Sequence, residues 1–216
     1  MPWPRPAMAE TLSERLSTGL STLGLQNTAQ QHDQWLAYVE LIAHWNRSIN
    51  LTAVREPRNM VTRHILDSLS IAPFLPGAPL LDIGTGAGLP GIPLAIYYPD
   101  RAFTLLDSNG KKTRFLFQVV RELQLPNVDI VQARVEQWRP AMCFESVTAR
   151  AFSNLSTLVN RVAHLTAEAG KIFAMTATET TEQLQIDASG FVMHDRIALS
   201  VPGLEEQRHL VVVQRC

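Results

Sequence analysis

The residues best suited to chemistry lie between Asp82 and Gly91. An apolar run, Leu80-Leu81, ends in an acid, and Gly84-Thr85-Gly86-Ala87-Gly88-Leu89-Pro90-Gly91 follows. Glycines this dense weaken any regular element, so a strand must end here. Pro90 suits the first turn of a helix, which can start at once. With no Cβ at Gly84, Gly86 or Gly88, a ligand can lie directly on the backbone and face the amide N–H groups of the new helix. A second acid, Asp107, ends the run Phe103-Thr104-Leu105-Leu106. At the end of a second strand, a carboxylate can accept hydrogen bonds from both hydroxyls of a ribose. These residues describe a site for a nucleoside-containing ligand, with a tight turn that holds no ligand as the bland alternative.

The glycine pattern has two readings. Gly86-x-Gly88-x-x-Gly91 fits the dinucleotide fingerprint. Gly84-x-Gly86-x-Gly88 after Asp82 fits the S-adenosyl-L-methionine (SAM) loop of Rossmann-like methyltransferases. Asp107 does not choose between them, because both ligands carry a ribose.

The elements that must position these residues are legible as patterns. Residues 1–8 read as a flexible tail, 9–76 as an N-terminal helical cap and 77–216 as the ligand-binding domain, the last two forming one unit. In the cap, Thr11 to Glu14 and Thr28 to Gln31 are capping boxes. The second opens a helix whose stripe is Trp35, Tyr38, Ile42, Trp45 and Ile49, read as core packing. A third helix starts near Pro57, with Val61, Ile65 and Leu69 inward. From residue 79, strands at 79–83, 103–107, 128–132, 144–149 and 171–175 alternate with helices near 90–98, 109–124 and 154–167. Such alternation predicts an α/β fold with a parallel sheet covered on both faces. Residues 190–201 and 207–214 predict two antiparallel strands around a Pro202-Gly203 turn. A parallel sheet finished by an antiparallel hairpin is the seven-stranded methyltransferase arrangement, which tilts the ligand toward SAM.

Composition excludes other classes. The chain has 216 residues, 46% of them hydrophobic, and a formal net charge of -1, enough for a real core with no global pull toward nucleic acid. Cys143 and Cys216 make no disulfide framework, and no Cys/His cluster has metal-site spacing. No apolar signal core or membrane span is evident, so a cytoplasmic protein without a metal is expected. Locally, Arg47, Arg55, Arg58 and Arg63, followed by His64, form a basic patch within which Glu56 is the only acid. Such a patch could position phosphates or be a solvated helix face.

Several runs, taken together, resemble a known family. In order these are Asn50-Leu51-Thr52, Arg63-His64-Ile65-Leu66-Asp67-Ser68, Asp82 to Pro93, Leu105-Leu106-Asp107-Ser108, Lys111-Lys112-x-Arg114-Phe115-Leu116, Arg134-Val135-Glu136, Ala149-Arg150-Ala151 and Glu206-x-Arg208-His209-Leu210. They are similar to the small-subunit (16S) ribosomal RNA guanine-N7 methyltransferases, the RsmG or GidB family, from about residue 35 onward. The resemblance implies SAM as cofactor, held by Gly84 and Leu89 within the loop that also carries Gly86 and Gly88, by Val135 and Glu136, and by Arg150, with Asp107 on the ribose. It makes Arg134 and Arg208, with Arg47, Arg55, Arg58, Arg63 and His64, candidates for holding RNA phosphates or a flipped guanine. His64 and Asp67, three apart on a helix, read rather as a structural pair. One departure stands out: Thr176-Ala177 occupy the place where the family usually has Lys-Gly.

The expected chemistry needs no catalytic base, because guanine N7 offers an in-plane lone pair and no proton. Catalysis would be positioning. The expected partner is 16S ribosomal RNA or a small-subunit particle, met by a monomer. Rival readings are an NAD(P)-dependent oxidoreductase, a non-catalytic RNA-binding or ribosome-assembly module, and a methyltransferase acting on a small molecule.

Overall fold

A computed structural model describes residues 10–77, 79–150, 154–177 and 190–215. The tail expected at 1–8, Ala151 and Cys216 lie outside the described residues. The cap begins with α1 (Leu12–Thr22) and α2 (Ala29–Trp45), each opened by the expected capping box. A third helical stretch runs as α3 (Pro57–Met60), a π-helical segment over Val61–Leu66, and α4 (Asp67–Leu69). Val61, Ile65 and Leu69 are fully buried, as the spacing predicts. The wider π turn is absent from that spacing.

The remainder alternates β1 (Leu80–Ile83), α5 (Gly91–Tyr97), β2 (Phe103–Asp107), α6 (Gly110–Glu122), β3 (Val128–Gln132), β4 (Phe144–Arg150), α7 (Leu155–Val162) and β5 (Thr166–Thr176). β6 (Phe191–Leu199) and β7 (Arg208–Arg215) complete a seven-stranded sheet in the order β3-β2-β1-β4-β5-β7-β6. The first five strands are parallel, and β7 runs antiparallel to both β5 and β6. The expected helix over 154–167 is shorter than its pattern. After Val162 a 3-10 turn intervenes, and Thr166 already belongs to β5, whose pairing with β4 is irregular between Phe144 and Ser146.

Register decides where the site forms. Ile83 pairs with both Leu106 and Ala149, Arg150 with Met175, and Thr176 with His209. The carboxyl ends of β1, β2, β4 and β5 therefore share one rim with the beginning of β7. That rim is where open α/β sheets receive ligands.

Side chains on the two sheet faces enter two cores. Leu80, Phe103, Leu105, Phe173 and Leu210 join the core shared with the cap, α5 and α6. Leu81, Ile83, Leu106, Val147 and Ile172 join the core under α7. Trp35, Tyr38, Phe115 and Leu116 are fully buried where cap meets sheet. Burying an aromatic or leucine of this kind contributes roughly 1.5–3 kcal/mol each. The cap is also tied by polar bonds. Gln31 Nε2 donates to Ile96 O (2.9 Å) and Tyr97 O (3.1 Å), Trp35 Nε1 to Pro93 O (3.2 Å), and Gln34 Nε2 to Leu123 O (2.7 Å).

Candidate functional site

The glycine turn is built around Asp82. Fully buried, its carboxylate accepts from Thr85 Oγ1 at 2.5 Å, the Gly91 amide at 2.9 Å and Thr148 Oγ1 at 3.3 Å. It thus ties the loop, the start of α5 and strand β4 to one side chain. Burial raises its pKa to about 7, while the three donors pull the other way. Because Asp82 takes the Gly91 amide, the α5 terminus closes onto the protein, and the expectation of helix amides turned to a ligand is corrected here. The amides of Gly88 and Leu89 likewise turn inward, both donating to Thr85 O at 2.9 Å.

The glycines divide by role. Gly84, Gly86 and Gly88 have φ of +60°, +63° and +92°, in the left-handed region where side chains are strained. A Cβ at Gly88 would meet Ile92 Cγ1 at 2.5 Å and Leu116 Cδ2 at 2.9 Å, so packing excludes a side chain there. A Cβ at Gly86 would meet nothing nearer than 3.8 Å. Gly84 is exposed, Gly86 half-buried, and Gly88 and Leu89 buried.

Asp107 faces the turn from β2. Its Oδ2 accepts from the Gly86 amide at 2.9 Å, and its Oδ1 accepts from the Asn109 amide at 2.8 Å. Lys112 Nζ stands 4.0 Å from Oδ2. A cleft of about 300 Å³ opens here, lined by Gly84, Asp107, Ser108, Arg134, Val135 and Glu136, among others. At its mouth Arg161 Nε lies 3.3 Å from Glu136 Oε1, both half-exposed. Gly84 with no side chain, the Asp107 carboxylate as acceptor at the end of β2, and the apolar Val135 make a lining fit for the ribose and base of a nucleoside such as that of SAM.

A second cleft, about 230 Å³, lies further along the same rim and is lined by Thr52, Arg63, His64, Asp67, Arg150 and Arg208, among others. Asp67 is its centre: Oδ2 accepts from Arg150 Nη1 at 3.0 Å, and Oδ1 from Arg208 Nε at 3.2 Å. Burial pushes the Asp67 carboxyl up, and Arg150 and Arg208 hold it down. Arg150 Nη1 also donates to Arg63 O at 3.1 Å, and its Nη2 stands 3.5 Å from His64 Nδ1. A guanidinium only donates, so Nδ1 takes the acceptor role and Nε2 carries the proton toward Thr52 Oγ1, 2.9 Å away. Burial and Arg150 push the His64 pKa down to about 4. His64 is therefore neutral at physiological pH and adds no charge to the basic patch. Its partners are Thr52 and Arg150 rather than Asp67, which corrects the expected His64–Asp67 pair.

Two arginines of the sequence reading line different clefts. Arg150, expected at the cofactor, lies in the second cleft. Arg134, expected at RNA, lies in the first. The exposed patch is also partly neutralised from a distance: Arg58 Nη2 pairs with Glu10 Oε2 at 2.9 Å, and Arg63 pairs with Glu206. Arg55 Nη1 donates to Asn46 O at 3.3 Å, while Arg47 is exposed. Lys112 and Arg161 escaped the sequence reading, although Lys112 lay within a run of cations free of acids.

Among the described residues, no helix is long and apolar enough to cross a membrane, and no three His, Cys, Asp or Glu gather as a metal cluster.

The strand order, the antiparallel last strand and the glycine-turn cleft define the class: a Rossmann-like fold of the SAM-dependent methyltransferases. Solved structures share this fold. One is a putative methyltransferase from Thermoplasma acidophilum, with TM-score 0.51 and 14% identity over 65% of this chain and 69% of that one. Another is a protein in the NADB-Rossmann superfamily from Streptococcus agalactiae, with TM-score 0.56 and 15% identity over 69% and 67%. Sequence narrows the class. Residues 31–211 match the GidB family, rRNA small subunit methyltransferase G. A relative named ribosomal RNA small subunit methyltransferase G, from Shewanella amazonensis, is 48% identical over 93% of this chain and 97% of its own length. One of the same name from Pseudomonas fluorescens is 46% identical over 94% and 95%. The chain belongs to the rRNA small subunit methyltransferase G family.

Proposed function

We propose that this chain is a SAM-dependent enzyme that methylates N7 of a guanine in 16S ribosomal RNA, acting as a cytoplasmic monomer. The observation that carries the reading is the pair of clefts on one rim. One is a glycine turn beside an acid, the other a cluster of cations. In the first, Gly84 and Gly86 would let the cofactor lie on the backbone, Asp107 would take its ribose, and Val135 and Glu136 would flank its base. SAM, when bound, supplies an electrophilic methyl carbon.

The chain's own residues do the positioning. Arg208 and Arg150 border the second cleft, where an unstacked guanine would be received, as enzymes acting on bases require. Guanidinium donors pair readily with guanine O6 and N7, which would block the nucleophile. Here Asp67 takes one donor from each of Arg150 and Arg208 and so fixes the direction of both guanidiniums, which would keep them from turning freely onto N7. No side chain needs to take a proton, because N7 carries none. Arg47, Arg55, Arg58 and Arg63 lie on the cap, where phosphates of the flanking RNA would pass. Arg134 is assigned to the cofactor cleft.

The test is transfer of tritium from labelled SAM to small-subunit ribosomal RNA that lacks the modification, with wild type and Gly84→Asp side by side. Label in 7-methylguanine, lost in the variant, is expected. No transfer to naked RNA, assembly intermediates or small subunits would overturn the assignment.

A further inference from the structure

Helix α2 turns one row of donors toward the SAM side of the molecule. Gln31, Trp35 and Tyr38 follow one another at helical spacing. Each donates to a backbone carbonyl: Gln31 to Ile96 and Tyr97, Trp35 to Pro93, and Tyr38 to Ala87. The first two serve α5, where Ile96 and Tyr97 belong to the last turn and have no partner within the helix. Tyr38 is different, because Ala87 is part of the glycine turn itself.

Ala87 sits between Gly86 (φ +63°) and Gly88 (φ +92°). With a glycine on each side, no neighbouring Cβ resists rotation of the peptide planes around it. The amide of Gly88 is tied to Thr85 O at 2.9 Å. The carbonyl of Ala87 is tied to the Tyr38 hydroxyl, on a side chain that is fully buried. The Tyr38 hydroxyl oxygen lies 3.0 Å from the point where a Gly88 Cβ would stand, so it also fills the space behind the turn. Burial holds the Tyr38 phenol protonated, which preserves it as a donor.

We propose that Tyr38 is a positioning residue for the cofactor: its hydroxyl, held by the cap helix, sets the orientation of the Ala87–Gly88 peptide and hence the shape of the turn on which SAM lies. This rests on the assignment of SAM to the glycine-turn cleft. The cap thereby shapes the cofactor site as well as facing RNA.

Tyr38→Phe keeps the ring and removes the hydroxyl. In the ligand-free protein, amide hydrogen exchange at Gly88 and Leu89 is expected to accelerate roughly 5- to 10-fold, the loss of about one buried hydrogen bond. The SAM dissociation constant, measured by calorimetry, is expected to rise by a similar factor. The KM for RNA should stay within about twofold of wild type. Gln34→Ala is the control, since it removes a bond from the same helix to Leu123 O, away from the turn. It should change neither exchange at Gly88 nor SAM affinity. Unchanged exchange or unchanged affinity in Tyr38→Phe would overturn the proposal. So would equal effects in Gln34→Ala, which would mark a general loss of stability. A wild type that binds no SAM would bring down the cofactor assignment and this role with it. Wild-type binding matched by Tyr38→Phe would bring down the role alone.

Discussion

Asp67 holds two arginines at once: its Oδ2 lies 3.0 Å from Arg150 Nη1, and its Oδ1 lies 3.2 Å from Arg208 Nε. The acid comes from the cap, Arg150 from the end of β4 and Arg208 from the start of β7. One carboxylate, 5% exposed, thus joins three elements that are remote in sequence.

Removing this acid strands two partly buried cations. Asp67→Ala is expected to cost about 3–5 kcal/mol, as breaking a buried pair does. Urea denaturation monitored by circular dichroism measures it. A loss below about 1 kcal/mol would show that solvent already screens the pairs.

The Arg63–Glu206 pair is exposed and predicts differently. Glu206→Gln should leave thermal stability almost unchanged, because exposed pairs contribute little. It should tighten RNA binding and steepen its salt dependence, since Arg63 loses a competing anion. Arg63→Glu should weaken RNA binding with SAM affinity intact. Filter binding across a salt series decides. Weaker RNA binding by Glu206→Gln would remove Arg63 from the interface.

Two buried groups act against each other in acid. The His64 pKa is lowered to about 4, so its contribution is present above its ordinary value of 6.5 and is lost as pH falls toward 4. The Asp82 pKa is raised from 3.8 to about 7, so its contribution is present below pH 3.8 and is lost as pH rises toward 7. Across about pH 4 to 6.5 the two slopes oppose, each bounded by about 1.4 kcal/mol per pH unit. Asp82→Asn should therefore make the protein more acid-sensitive than wild type, and His64→Gln less so. Stability measured through that range in both variants checks the signs.

The glycines can be separated by single methyl groups. Gly88→Ala meets Leu116 and Ile92 and carries an unfavourable φ, so a loss of about 2–4 kcal/mol is expected. Gly86→Ala meets only ordinary contacts, at 3.8 Å, and should cost about 1 kcal/mol, from backbone strain. If it faces the cofactor, Gly86→Ala should nevertheless weaken SAM binding more than its stability loss explains. Melting temperature and calorimetry on the pair provide the comparison.

Much of this arrangement was legible in the chain. The strands β1 and β2, the glycine turn and Asp107 follow from apolar runs ending in acids, because a buried parallel strand has little else to show. Both capping boxes and the inward Val61, Ile65 and Leu69 follow from local spacing. What stayed hidden depends on lateral position. Spacing along the chain does not say that Arg134 lines the cleft with Gly84 while Arg150 turns away: β4 is the direct neighbour of β1, yet the Arg150 guanidinium is drawn to Asp67 and Arg63 O on the cap. Glu10 and Glu206 neutralise arginines from outside the patch in which they were counted. Trp35 and Tyr38 read as core residues, and they are; their polar ends find carbonyls that no helical periodicity reveals. Local pattern also misplaced the beginning of β5, where pairing with β4 draws Thr166 out of the helix.

The second cleft has a history in time as well as a place in space. Asp67 meets Arg150 across 83 residues of chain and Arg208 across 141. Contacts this distant form only after long loops close, so the trio assembles late, when β7 slots between β5 and β6. Until then Asp67 lacks its bond to Arg208, and the cleft lacks that wall. A polypeptide that has not yet laid down its last strand has no second cleft to offer, so readiness to receive a base and completion of folding arrive together.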